Sequence, residues 1–292
     1  MNKKNNGSNK MSDKKRQNMN AKPKPKSFEE LEFKDDFMFG VIMRNPKYCK
    51  PFLETILGIS ISNIEYPKTQ KIIDITANAK SVRLDVYVED AQDTVYNIEM
   101  QVTINKNLPK RARYYQGMID LNIMEKGEDF KNLKRSFVIF ICTFDLFGKG
   151  RHIYTFENRC LQDYEIGFGD ETTKIILNTK GTMDDVSPEM KRLLNYIDGQ
   201  ASSDDFTREL ETAVRTIKSN EKWRVEYMTL EMRYKELLEQ GFEEGLEQGI
   251  AQTITTTISL LRENGLSDSK ITEALVNKFN LSLEEAVKYI NI

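Results

Sequence analysis

VRLDVYVEDAQDTVYNIEMQ, residues 82–101, alternates apolar and polar side chains in two runs separated by the polar stretch DAQD. Strand side chains point to opposite faces in turn, so the stretch reads as a β-hairpin. Arg83, Asp85 and Tyr87 then share one face and Leu84, Val86 and Val88 the other. On the return strand Asn97, Glu99 and Gln101 lie together, opposite Ile98, Met100 and Val102. A turn centred on Gln92 sets Val86 across from Ile98 and Asp85 across from Glu99. Cβ atoms of such cross-strand pairs are about 5 Å apart. Two carboxylates that close repel, so either one keeps its proton or a cation lies between them. Hard oxygen donors of this kind suit Mg²⁺ or Mn²⁺, and an ion so held can polarise a phosphoryl group and activate water without any histidine. The same alternation also fits the solvated face of an ordinary antiparallel sheet.

The next apolar run weighs against a solvated face. SFVIFICTF, residues 136–144, is continuously apolar, as in a strand covered on both sides, and a polar stripe on a covered sheet needs a reason. Upstream, Ser27 and Glu30 form a capping-box pattern, and Phe33, Phe37 and Val41 repeat at helical spacing. NPKYCKPFLETILG, residues 45–58, predicts a second helix closed by Gly58, and residues 61–70 a short strand. The spacing of Arg111, Tyr115 and Met118 predicts a helix over 105–127, and residues 152–160 and 173–181 predict two further strands. The order is αα-βββ-α-β-β-β, an α/β fold with a mixed central sheet flanked by helices.

From residue 183 the chain turns mostly α-helical. Apolar residues recur every four positions from Leu230 through Tyr234, Leu238, Phe242, Leu246, Ile250 and Ile254 to Ile258. Such a stripe drifts about 40° per repeat around an α-helix. Gly241, Gly245 and Gly249 share a face that would let a second helix approach. A self-association stalk and a slipped low-complexity repeat both fit this pattern. Residues 266–292 predict a small helical hairpin, with Ser282 and Glu285 as a capping box. The expected organisation is a basic disordered tail (1–27), an α/β domain (28–182), a helical extension (183–265) and the hairpin (266–292).

Charge and composition narrow the function classes. The net charge of −2 is uneven: the first 27 residues hold nine Lys/Arg and one Asp. Such a tail is disordered by composition and suits nucleic acid, a solubilising role or an overextended start. No apolar run approaches the roughly 18 residues that span a bilayer, and the N-terminus has no apolar signal core. The expected location is cytoplasmic, with no membrane partner. Cys49, Cys142 and Cys160 cannot all pair and form no CxxC, so neither a disulfide framework nor a cysteine-rich zinc site is expected. His152 is the single histidine, which argues against a multi-histidine metal centre or a Ser/His/Asp hydrolase and favours a structural role.

LDVYVEDAQDTVYNIEMQ resembles the D…ExK core of the PD-(D/E)xK nuclease superfamily, in the variant with Gln in place of Lys. In order, DDFMFGVIM, RLDVYV, NIEMQ, RARYYQGMID and FVIFICTFDLFGKGRHIYTFEN resemble the Rpn-type recombination-promoting nucleases, a group labelled as transposases. The resemblance covers roughly residues 30–180, and the GFEEGLEQG repeat is similar to that group's tail. It implies a restriction-endonuclease-like sheet and Mg²⁺- or Mn²⁺-dependent cleavage of DNA, linked to recombination or mobile elements. Asp85 and Glu99 would hold the metal and Gln101 would orient water. Asp36 would complete the shell, with Asp35 or Glu54 as substitutes. Lys110, Arg111 and Arg113 would grip DNA phosphates, with Tyr115 packing nearby. Gln is this group's usual residue at the Lys place, but a neutral amide cannot lower a water's pKa; Lys106 could supply the charge instead. The alternative is a catalytically weak or inactive DNA-binding module that oligomerises through its C-terminal helices.

Overall fold

The computed structural model describes residues 26–66 and 85–291, and the backbone of 72–73 and 82–83. The expected disordered tail lies almost wholly outside the described residues, as do the side chains of Arg83 and Leu84. The chain divides into two compact units at Arg224/Val225.

The hairpin forms in the expected register. β4 (Val86–Asp90) pairs antiparallel with β5 (Val95–Gln101), Val86 facing Ile98 and Glu89 facing Val95, so the turn centres on Gln92. Asp90 organises that turn: its carboxylate accepts from the backbone N–H of Gln92 and Thr94 and from the Tyr96 hydroxyl. Asp93 there adopts the left-handed region at φ 59, which Asp tolerates better than most residues.

The first strand of the hairpin is shorter than the alternation predicts. β3 (Val82–Arg83) is not part of β4 but pairs with β2 (Ile72–Ile73) in a separate two-stranded sheet. The chain bends at Asp85 before β4 begins. The side chain of Asp85 explains the break, because its Oδ2 accepts a hydrogen bond from Met100 N on the facing strand (3.2 Å). A side chain bonding a neighbouring backbone N–H takes the place of a ladder bond.

The main sheet has the order β1-β4-β5-β6-β8-β7, with β1 (Ile64–Glu65), β6 (Ser136–Cys142), β7 (Ile153–Phe156) and β8 (Thr172–Asn178). β5, β6 and β8 run parallel; β1, β4 and β7 run antiparallel to their neighbours. All seven residues of β6 are buried, as its unbroken apolar run requires. A parallel β5–β6 pair needs a crossover, and α3 (Leu108–Ile123) supplies it. The helix ends four residues before Gly127. Its Leu108, Ala112, Tyr115, Met118 and Ile119 pack on Tyr87, Val95, Val138, Phe140, Cys142 and Ile176. Those strand residues alternate with Val86, Val88, Ile98, Met100, Ile139 and Leu177, which are also buried. The sheet is therefore covered on both faces.

α1 (Asp36–Met43), α2 (Pro46–Leu57), α4 (Pro188–Ile197) and α5 (Asp205–Lys218) pack on one another in a second helical layer. Phe33, Phe39 and Phe52 meet edge-on or tilted within it, with Phe33 also against Tyr196. The Ser27/Glu30 capping box closes only a 3₁₀ turn (Phe28–Glu30), and α1 starts later than the Phe33 spacing predicts, with Asp35 as its N-cap residue. Phe33 is fixed instead by burial in that aromatic cluster. α2 begins at Pro46 behind an Asn45 cap and stops at Gly58, whose φ of 65 suits glycine.

His152 is 3% exposed. Its Nδ1 lies 2.8 Å from Asp185 Oδ1, and its backbone N–H donates to both oxygens of the same carboxylate. It is a structural tie. All three cysteines are free.

The second unit contains most of α6 (Glu221–Glu263), with α7 (Asp268–Phe279) and α8 (Leu283–Ile290) as the terminal hairpin. Ile254 and Ile258 of α6 are buried with Ile271, Leu275 and Ala286. Further up the same stripe, Leu238, Phe242, Leu246 and Ile250 are exposed. Among the described residues, no helix is long and apolar enough to cross a membrane.

Candidate active site

Asp85 and Glu99 are brought together by reciprocal bonds between their strands. Asp85 N donates to Glu99 Oε1 (3.2 Å), and Met100 N donates to Asp85 Oδ2 (3.2 Å). Each carboxylate is thus held by a backbone N–H of the facing segment. The acidic face is not the solvated face of a sheet. Glu99 is 2% exposed and Asn97 0%, because α3 lies over them.

Burial of a carboxylate disfavours its ionised form. The Glu99 carboxyl is pushed well above the usual range, first by burial and then by the Asp85 charge. The Asp85 N–H, Arg111 and Asn97 pull it part of the way back. Asn97 sits beside Glu99 and favours its ionised form, but neither amide atom reaches a partner in good hydrogen-bond geometry. Asn97 lies along the same buried polar seam as the acids.

Gln101 closes the row at the carboxyl end of β5. Its Nε2 donates to Met100 O (2.6 Å), and its Oε1 accepts from Arg111 Nη1 (2.8 Å). Arg111 is turned inward rather than out along the helix surface: Nη2 donates to the Tyr115 hydroxyl (2.8 Å) and lies 3.7 Å from Glu99 Oε2. The guanidinium also stands over the rings of Tyr115 (5.3 Å) and Phe140 (5.5 Å). Phe140, paired with Glu99 in the β5–β6 register, forms the floor beside the carboxylates and stacks on Tyr115 at 5.9 Å. Nothing in the local pattern of the apolar run 136–144 marks Phe140 for this place. Tyr115 was legible from its four-residue spacing to Arg111.

Asp36 lies in the first turn of α1, which runs beside the bend: a Cβ added at Gly40 would come 3.9 Å from Asp85 O. Its carboxyl pKa is raised by crowding from neighbouring atoms and by Asp35, and lowered by Arg111. The residue as a whole is nonetheless exposed to solvent. Asp35 is engaged elsewhere, with Lys26 Nζ at 2.8 Å and the Glu32 N–H. Glu54 accepts from Ile61 N and faces the α2–β1 connection. Lys106, Lys110 and Arg113 are exposed, and none of the three has an ion pair among the described residues. Nor is there, among the described residues, a group of three or more acidic, His or Cys side chains suited to a metal.

The row sits at the carboxyl end of parallel strand β5, where ligands bind in open α/β sheets. No curated protein and no solved structure matches the chain. Residues 30–177, just over half of its length, match the family model of the PD-(D/E)XK nuclease family transposases. That span holds the whole hairpin, α3 and all but the last residue of the main sheet, and the chain belongs to this family.

Proposed function

We propose that this chain is a divalent-metal-dependent DNA endonuclease that hydrolyses phosphodiester bonds, acting in recombination or on mobile DNA. The observation that carries the reading is the buried pair Asp85 and Glu99, each held by the other segment's backbone N–H. PD-(D/E)XK nucleases generally use divalent metals, and the donors here suit one. Two hard carboxylates that repel at close range are a fit for Mg²⁺ or Mn²⁺, which commonly take one or two protein carboxylates and fill the rest of the shell with water and phosphate oxygens. The chemistry such an ion supplies is polarisation of a phosphoryl oxygen and activation of water.

The chain's own residues do the rest. Asp85 and Glu99 would hold the metal, and Asp36, on the helix that runs beside Asp85, would complete its shell. Lys110 and Arg113, exposed on the first two turns of α3, contact phosphates on either side of the scissile bond. Burial under α3 excludes bulk water from Glu99, which strengthens every charge interaction at that carboxylate. The exposed stripe on α6 is the self-association surface, and the protein works in the cytoplasm.

The neutral Gln101 favours a second reading, a DNA-binding and oligomerising module with weak or no catalysis. Plasmid nicking separates the two. With Mg²⁺, wild type converts supercoiled DNA to nicked circles, and Asp85→Ala and Glu99→Ala do not. Equal activity in all three proteins, or activity that survives EDTA, would sink the endonuclease assignment.

A further inference from the structure

We propose that Arg111 is the resident cation of the carboxylate site, taking the part that the lysine of the ExK motif would play, and that Gln101 is its bracket. The inference rests on the endonuclease reading and adds a positioning residue to it.

The geometry of Gln101 is the starting point. Its Nε2 is committed to Met100 O and its Oε1 to Arg111 Nη1. The orientation of the amide is forced, since turning it round would set one donor against the guanidinium and an acceptor against a carbonyl. Each end keeps one further hydrogen-bonding position, but the two bonds Gln101 makes both brace a neighbour. What it holds is a cation. Arg111 sits 3.7 Å from Glu99 Oε2 and is fixed at three points: Gln101, the Tyr115 hydroxyl, and the stacked pair of Tyr115 and Phe140 rings that it lies against. A planar fork that hydrogen-bonds at its edge and stacks on its face is arginine chemistry; an ammonium does neither as well.

The placement also follows from the chain path. Gln101 ends β5 and Arg111 lies in the first turn of α3, so the short crossover carries a charge back over the strand it has just left. A phosphate clamp would point outward, as Lys110 and Arg113 do. Arg111 instead spends its contacts on the site itself and keeps 31% of its side chain open to solvent. That open edge is where a phosphate oxygen beside the carboxylates would meet it.

Three full-length variants test this: Arg111→Gln, Arg111→Lys, and Arg111→Gln combined with Gln101→Lys. Two readouts are used, plasmid nicking with Mg²⁺ and calorimetric titration of the DNA-free protein with Mn²⁺. Arg111→Gln should lose about 100-fold in nicking, the scale of removing one fixed electrostatic stabiliser. It should bind Mn²⁺ about tenfold tighter, because a positive charge next to a ligand carboxylate has gone. The double variant should regain nicking to within about tenfold of wild type, since the lysine restores the charge from the motif position. Arg111→Lys should fall between wild type and Arg111→Gln, and carries the test if Arg111→Gln does not fold. Nicking unchanged in Arg111→Gln, Mn²⁺ affinity unchanged, or no recovery in the double variant would each overturn the assignment. If wild type itself binds no Mn²⁺ and nicks no DNA, the endonuclease reading falls and takes this inference with it. Normal metal binding with an indifferent Arg111→Gln brings down this inference alone.

Discussion

Asp85→Asn should make the metal-free protein more stable. Asn keeps the shape and an acceptor oxygen for Met100 N, which lies 3.2 Å from Asp85 Oδ2. It removes a charge that raises the Glu99 carboxyl pKa. Two unit charges about 5 Å apart repel by about 3 kcal/mol at an effective dielectric near 20. Asp85 is only half-buried, so solvent screens part of that, and a gain of about 2 kcal/mol is expected once Glu99 is ionised. For a domain of this size that is roughly 4–8 °C in Tm.

The gain must depend on pH in one direction. A carboxyl whose folded pKa is raised holds its proton more tightly folded than unfolded. Its contribution to stability is therefore complete below the unfolded value, near 4.5, and is lost as pH rises through the folded one. Glu99 is such a group, with burial the larger cause and Asp85 the second. Below that folded value Glu99 keeps its proton, the repulsion is absent, and the two proteins should melt together. Adding Mg²⁺ on the alkaline side should invert the order, because an ion held by the pair stabilises wild type and not Asp85→Asn. The assay is thermal unfolding by circular dichroism in EDTA and in Mg²⁺ across a pH series. A metal-free Asp85→Asn whose advantage over wild type does not grow as pH rises refutes the reasoning.

A Cβ built on Gly181 would come within 2.4 Å of the His152 ring. Gly181→Ala should therefore cost about 1–3 kcal/mol by overpacking, and His152→Ala in the same chain should recover part of it. A Gly181→Ala Tm equal to wild type would contradict the fixed His152–Asp185 tie. Lys110→Gln and Arg113→Gln should each weaken DNA binding without sequence preference and lower the slope of log K against log salt by about 1; an unchanged slope removes them from the interface. Phe242→Glu with Leu246→Glu, at positions 71% and 54% exposed, should leave the α/β unit's melting unchanged and shrink the particle seen by light scattering. No change in size would remove that stripe as a self-association surface.

The sequence by itself determined the elements whose signal is local. Period-two alternation with one polar gap sets a hairpin register, and Glu89 facing Val95 follows from it. An apolar run of six β-branched, aromatic and cysteine residues, Phe137–Cys142, fits a strand covered on both sides, as β6 is. The carboxylate pair was legible for the same reason, since cross-strand neighbours follow from register alone. Three things belonged to tertiary structure. α1 starts at Asp36 because the aromatic cluster, not helical spacing, captures Phe33. β4 starts only at Val86 because the Asp85 carboxylate bonds across to the neighbouring strand. The direction of Arg111 is the third: a helical arginine can face solvent or core with equal local propriety. Only the crossover of α3 over β5, with Gln101, Tyr115 and Phe140 waiting beneath it, turns that charge toward the acids.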